Sequence, residues 1–200
     1  IGGQGVHEAR LEAGRILARQ SPVDADVVIG VPDSGLDAAL GYAQESGIPV
    51  AEGFLKNRYI GRTFIKPEQS SRETAVKLKL SPMRSQIEGK RVVMIDDSIV
   101  RGTTSNLITN LLRDAGAKEV HVKISSPPFI SPCYFGTDVP DKDHLIACKM
   151  NLEEICKHIG ADSLDYLRVE SLRELVPHIK GDFCHGCFTG EYPVEIPDDV

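Results

Sequence analysis

Apolar and polar positions along the chain follow two periods, and the switches between them mark out helices and strands. Over residues 7–20 (HEARLEAGRILARQ), Ala9, Leu11, Ala13, Ile16 and Leu17 fall near helical spacing with Arg and Glu outside, and Ser21-Pro22 stops the run. Residues 26–31 (DVVIGV) form a short β-branched run, the mark of a buried parallel strand. A turn at 32–35 (PDSG) leads to a predicted helix over 36–44 and a short strand over 48–51, a strand–helix–strand rhythm. The strongest strand signal is 91–95 (RVVMI), which ends in Asp96-Asp97. A helix over 103–115 follows, with Thr103 as its expected N-cap and Gly116 as its stop. Residues 119–124 (EVHVKI) alternate as a strand, and 71–80, 152–159 and 171–176 are predicted as helices. Residues 54–83 show no clean period, Pro127, Pro128 and Pro132 mark irregular chain, and 182–197 reads as a loop-rich tail. The pattern as a whole predicts an α/β fold: a mostly parallel sheet flanked by helices, with an irregular C-terminal lobe.

Composition narrows the function classes. The 200 residues are 41% hydrophobic and 26% charged, which is globular rather than disordered or fibrous. The net charge is −6, so a dedicated nucleic-acid binder, which needs excess Lys and Arg, is not expected. No stretch approaches the ~20 apolar residues of a membrane span, and 1–10 lack a signal-peptide layout, so the expectation is a cytoplasmic protein with no membrane partner. Five cysteines without a secretory signal argue against a disulfide framework.

The densest chemistry lies at 92–104 (VVMIDDSIVRGTT). Four apolar residues feed a strand, two carboxylates sit at its C-terminal end, and a hydroxyl-rich loop opens a helix. Ligands of α/β sheets bind at such strand ends. A helix N-terminus with free N–H groups holds a phosphate, and Ser98, Thr103 and Thr104 add donors while Gly102 lets the backbone approach. Asp96 and Asp97 repel phosphate but suit sugar hydroxyls or a divalent cation beside it. DDS alone fits a solvated acidic turn equally well; the whole string points to a phosphorylated sugar with a metal. Two further segments add to it. VPDSG at 31–35 is a strand-to-helix turn whose Ser34 can cap. Lys56, Arg58, Arg62 and Lys66 fall in a stretch without an acid between Gly53 and Pro67, a local basic excess that suits pyrophosphate as well as it suits a solvated loop. Lys77, Lys79, Arg84, Lys90 and Arg91 form a second basic group, read first as a solvated face. Cys184-His185-Gly186-Cys187 is a CxxC, which by itself suits a redox pair or half a zinc site.

The 92–104 string resembles the phosphoribosylpyrophosphate (PRPP) signature of the type I phosphoribosyltransferases, and its IDDSIVRGTT form looks like the amidophosphoribosyltransferase family. VPDSG at 31–35, KNRYIGRTFI at 56–65 and CHGC at 184–187 match that family in the same order, so the resemblance spans residues 7–197. It implies a type I phosphoribosyltransferase fold and the reaction PRPP + ammonia → 5-phosphoribosylamine + pyrophosphate, the first step of de novo purine synthesis. Asp96, Asp97, Arg62, Tyr59 and Lys56 would be the catalytic set. Pro32, Asp33, Ser34 and Gly35 would form the pyrophosphate loop, with a cis peptide expected at Asp33–Ser34. Ser98, Ile99, Val100, Arg101, Gly102, Thr103 and Thr104 would cradle the 5′-phosphate, and Ser34, Asp96 and Asp97 would hold Mg²⁺. Residues 53–70 would be a mobile lid that excludes water. Lys79, Ser81 and Arg84 are weaker candidates for the phosphate of an inhibitory purine nucleotide. Cys133, Cys184 and Cys187 match three of four cysteines that hold a [4Fe–4S] cluster in many members. The family's fourth ligand would lie before Ile1, as would a glutaminase domain with an amino-terminal Cys nucleophile, so the chain is expected to be the phosphoribosyltransferase half, with 126–200 as a C-terminal cysteine lobe. Cys148 and Cys156 match no ligand and are expected to be buried thiols. A homo-oligomer is expected.

Two other classes compete. A PRPP-binding regulator would keep the fold without catalysis, but should carry a DNA-binding module and a basic face. A salvage phosphoribosyltransferase would take a base as acceptor, but its family lacks the CxxC tail and the 56–65 segment.

Overall fold

A computed structural model describes residues 3–59, 79–139 and 141–196. Helix α1 (Val6–Gln20) leads to strand β1 (Val27–Gly30) and helix α2 (Leu36–Ser46). A two-stranded antiparallel ribbon, β2 (Phe54–Lys56) with β3 (Leu80–Pro82), precedes a one-turn helix α3 (Arg84–Ile87). Then come β4 (Arg91–Asp96), α4 (Thr103–Asp114) and β5 (Glu119–Ile124). Two 3-10 turns, α5 (Leu152–Ile159), β6 (Ser163–Tyr166), a third 3-10 turn at Val169–Arg173 and the short α6 (Gly186–Thr189) complete the described chain.

The main sheet has the order β1-β4-β5-β6 and is parallel throughout. All its strands therefore end on one side, which is where α/β sheets bind ligands. Val92, Met94, Val120, Val122 and Ile124 point into a core shared with α4 and α5, while Val93 and Ile95 point into a second core under α1 and α2. That alternation puts two apolar layers around one sheet, and it explains why β4 reads as a continuous apolar run. α1 and α2 touch backbone to backbone: a Cβ on Gly14 would lie 1.9 Å from the Ala38 carbonyl oxygen, and one on Gly41 would lie 1.9 Å from that of Leu11.

The parallel α/β expectation holds, with local corrections. The strand expected over 48–51 is a single bridge, Val28 to Val50. The helix expected over 171–176 is instead the 3-10 turn Val169–Arg173. β6 and the β2–β3 ribbon were not legible in the pattern. The expected N-cap, Thr103, is the first helical residue, because Gly102 takes the cap position at φ +79°, a left-handed conformation that favours glycine. The helix expected over 71–80 lies mostly outside the described residues, as do Arg62, Lys66 and Lys77 and most of the expected lid. No described helix is long and apolar enough to cross a membrane.

Candidate functional site

β4 ends inside the protein and its chain then turns outward. Asp96 is 7% exposed, whereas Asp97 is exposed and Ser98 half-buried. The Asp97 N–H donates to Asp96 Oδ1 at 2.9 Å, and Ser98 Oγ donates to Asp97 Oδ1 at 3.4 Å. Burial first, and the neighbouring Asp97 charge second, push the Asp96 carboxyl well above its ordinary range. The two expected carboxylates therefore differ: Asp97 is the accessible one and Asp96 sits behind it. Ile99 is buried and anchors the loop, Val100 is half-buried, and Arg101, Thr103 and Thr104 are exposed. The first turn of α4 leaves backbone N–H groups beyond the loop without helical carbonyl partners, the arrangement that holds an anion.

The turn after β1 stands against the end of β4. Val31 N–H donates to the Ile95 carbonyl at 2.9 Å, and Gly35 N–H closes the turn on the Val31 carbonyl at 2.9 Å. A Cβ on Gly35 would lie 2.4 Å from the Ile95 oxygen. The sheet thus brings 31–35 and 96–104 together, as the sequence suggested for two halves of one site. Pro32 and Ser34 are half-buried and Asp33 is exposed. The cis peptide lies at Pro32–Asp33, one bond before the expected Asp33–Ser34; the bond from Gly35 N–H to Val31 fixes the ends of the turn around it.

Lys56, on β2, reaches this turn and forms an ion pair with Asp33. The Lys56 ammonium holds the Asp33 carboxyl below its ordinary value, with Arg58 and Lys79 adding to it. Asn57 N–H donates to the Lys79 carbonyl at 2.8 Å, so 57 and 79 continue the β2–β3 pairing. Lys56 and Asn57 thus stand on a paired stem beside the 31–35 turn. Tyr59 is fully exposed, and Arg62 is outside the described residues. The second basic group divides: Arg91 pairs with Asp24 and Asp26, Arg84 pairs with Glu88, and Lys79 is half-buried near Asp33.

Cys133 and Cys187 come together although 54 positions separate them. Ile130 and Ser131 N–H groups both donate to the Cys187 carbonyl, at 3.0 and 3.1 Å, and both cysteines pack against Phe129, Val139 and Leu145. Burial, then the Cys133 and Cys184 thiols, push the Cys187 thiol up. Burial opposes ionisation of Cys133, but the Phe135, Thr137 and Gly136 backbone N–H groups and the Thr137 hydroxyl outweigh it and hold that thiol low. Three expected ligands are therefore neighbours. Yet among the described residues no three His, Cys, Asp or Glu side chains converge on one point as a metal site. The described residues thus do not fit a four-thiolate cluster on their own. Cys148 is exposed, not buried, and its thiol donates to the Ile130 carbonyl at 3.3 Å; Cys156 is half-buried. Cys148 ends the 3-10 turn Ile146–Cys148 and Cys156 lies at the edge of amphipathic α5, where small apolar character does not require burial.

Sequence reading missed the back of the 98–104 loop. Ile146 and His158 close on Gly102, and no local pattern links positions so far apart.

Comparison with known proteins agrees with this fold. The model of the phosphoribosyl transferase domain matches residues 7–125. An amidophosphoribosyltransferase of Methanothermobacter thermautotrophicus is 54% identical over 200 residues, covering 100% of this chain and 42% of its own length. A chloroplastic amidophosphoribosyltransferase of Arabidopsis thaliana is 54% identical over 197 residues, covering 98% of this chain and 35% of its own. Among solved structures, the glutamine PRPP amidotransferase from B. subtilis complexed with ADP and GMP superposes with a TM-score of 0.88 at 54% identity, covering 99% of this chain and 44% of that one. The chain spans less than half the length of these relatives.

Proposed function

This chain belongs to the phosphoribosyl transferase domain family and has the type I phosphoribosyltransferase fold, and on that premise we propose that it binds PRPP and transfers its phosphoribosyl group to ammonia. The observation that carries the reading is the juxtaposition of two strand-to-helix turns. One offers Asp97, hydroxyls and free helix N–H groups; the other offers Asp33 with Lys56 beside it.

In this reading the 98–104 loop binds the 5′-phosphate and Asp97 accepts hydrogen bonds from the ribose hydroxyls, with Asp96 behind it fixing the Asp97 backbone. Lys56 exchanges Asp33 for pyrophosphate oxygens, and Tyr59 and Arg62 join it from the 53–70 segment. The bond from C1 to pyrophosphate breaks through an oxocarbenium-like state while the ammonia nitrogen forms its bond to C1. No protein nucleophile is needed. The donor set fits magnesium, since Asp97 is an open hard-oxygen ligand next to a second carboxylate and Ser34 adds a hydroxyl; such ions bind through one or two carboxylates plus substrate oxygens. When bound it supplies charge neutralisation at the leaving pyrophosphate.

We further propose that ammonia comes from a glutaminase domain or chain beyond this sequence, since the relatives are more than twice as long. The 126–200 lobe is proposed to hold a [4Fe–4S] cluster only where a fourth ligand joins Cys133, Cys184 and Cys187, and no step is assigned to it. The B. subtilis relative was solved with ADP and GMP, so purine nucleotides are the proposed inhibitors, with Lys79, Ser81 and Arg84 as candidate contacts. A cytoplasmic homo-oligomer is the proposed working form.

The test is pyrophosphate release from PRPP and magnesium, with ammonium chloride and separately with glutamine. Release with ammonium is expected, and Asp97→Asn should reduce it by about 100-fold or more while the melting temperature holds. Release that is equal in the wild type and Asp97→Asn would overturn the assignment.

A further inference from the structure

The phosphate loop is closed behind and open in front. A Cβ on Gly102 would lie 2.6 Å from Ile146 Cδ1, 3.2 Å from His158 Cδ2 and 3.5 Å from His158 Nε2. Gly102 itself is buried, while its neighbours Arg101, Thr103 and Thr104 are exposed. Ile146 and the imidazole edge are thus the wall on which the loop's last turn rests.

His158 is held from outside the loop, whereas Ile146 is tied both to the core and to the loop itself. Ile146 is 5% exposed and belongs to the main core, and its N–H donates to the Val100 carbonyl at 2.9 Å. His158 stands in the last turn of α5. That helix is held by a capping box between Asn151 and Glu154, by Gly160 in a left-handed cap, and by buried Ile155 and Ile159. A side-chain link ties the two helices beside the ring: Asn106 Nδ2 donates to the His158 carbonyl at 2.8 Å, while Asn106 N–H donates to the Gly102 carbonyl at 2.9 Å.

Glycine is the residue least able to hold its own conformation, and Gly102 precedes the N–H groups that must aim at one phosphate. We infer that His158 is a positioning residue for the phosphate loop: backed by α5, its ring holds Gly102 in place and thereby fixes the aim of the N–H groups at the start of α4. The inference rests on the proposed PRPP site and adds a residue to it from α5. His158 acts by shape, through the ring edge against the glycine, and touches no substrate.

The test is titration calorimetry of the full protein with PRPP and magnesium, at mildly acidic and mildly alkaline pH, for wild type, His158→Ala and His158→Gln. His158→Ala should weaken PRPP binding about 5-fold, and raise KM by the same factor with kcat held, as expected for loss of one interaction. His158→Gln, planar and of similar reach, should restore most of it at both pH values. The exposed position predicts an unchanged melting temperature. If the wild type binds PRPP and His158→Ala binds it equally well, the positioning role is overturned and the PRPP site stands. If His158→Gln loses as much affinity as His158→Ala, and the wild type alone weakens as pH rises, the role belongs to imidazolium charge and the inference is overturned. A wild type that binds no PRPP overturns both readings.

Discussion

The turn after β1 and the turn after β4 lie side by side and both lead into helices, but one is built of backbone against backbone and the other of backbone against side chains. In 31–35, Gly35 approaches the Ile95 carbonyl and the Val31 amide, neither of which can move without disturbing a strand. In 97–102, Gly102 approaches Ile146 Cδ1 and His158, which are side-chain atoms, so an added Cβ would press on side chains and not on a strand backbone. Their carboxylates differ in the same sense. Asp33 is exposed, paired with Lys56 and held low; Asp96 is buried beside a like charge and held high. The first turn pairs its carboxylate with a lysine. The second holds a buried carboxyl whose ionised form burial and the Asp97 charge disfavour, a local cost in stability of the kind functional sites carry.

The largest test of that contrast is a pair of substitutions. Gly35→Ala should destabilise by about 3 kcal/mol or more, because backbone must move. Gly102→Ala should cost about 1–2 kcal/mol, the left-handed penalty with side chains yielding, while weakening PRPP binding. Denaturant titration of both decides; equal losses would break the comparison.

Asp96→Asn sharpens it next. The folded carboxyl titrates above the unfolded one, so its ionisation opposes folding once pH exceeds the unfolded value of about 4. The variant should therefore match the wild type in acid and melt higher as pH rises, while turnover falls. A lower melting temperature at neutral pH would show that Asp96 is paired.

The smallest effect sits away from both turns. Arg91 holds the Asp26 carboxyl down, to about 2. The sign is opposite to that of Asp96: this stabilisation is present above about pH 4 and is lost as pH falls toward about 2. Scans of melting temperature against pH for wild type and Asp26→Asn should converge in acid and separate above it.

Much of the site was legible because its chemistry is contiguous. The string 92–104 carries strand, carboxylates, loop and helix start in one stretch, and the structure keeps them in that order. Pairings across the chain were not legible. Nothing near Asp33 announces Lys56, and nothing near Gly102 announces Ile146 or His158. β6 was missed although Ser163, Leu164, Asp165 and Tyr166 alternate, since four residues give too short a signal until His121–Ile124 pair with them. The cysteine lobe was read as a ligand set, and the chain does bring Cys133 and Cys187 together, but through backbone bonds from 130 and 131 that no motif encodes.

By itself the sequence determined the parallel α/β class, the places of β1, β4, α4 and β5, and the residue types at the end of β4, because hydrophobic period and strand-end chemistry are local properties. Tertiary structure alone decided which carboxylate is buried, which lysine neutralises Asp33, and what stands behind Gly102. Those depend on burial and on contacts between distant segments, and neither exists until the sheet has closed.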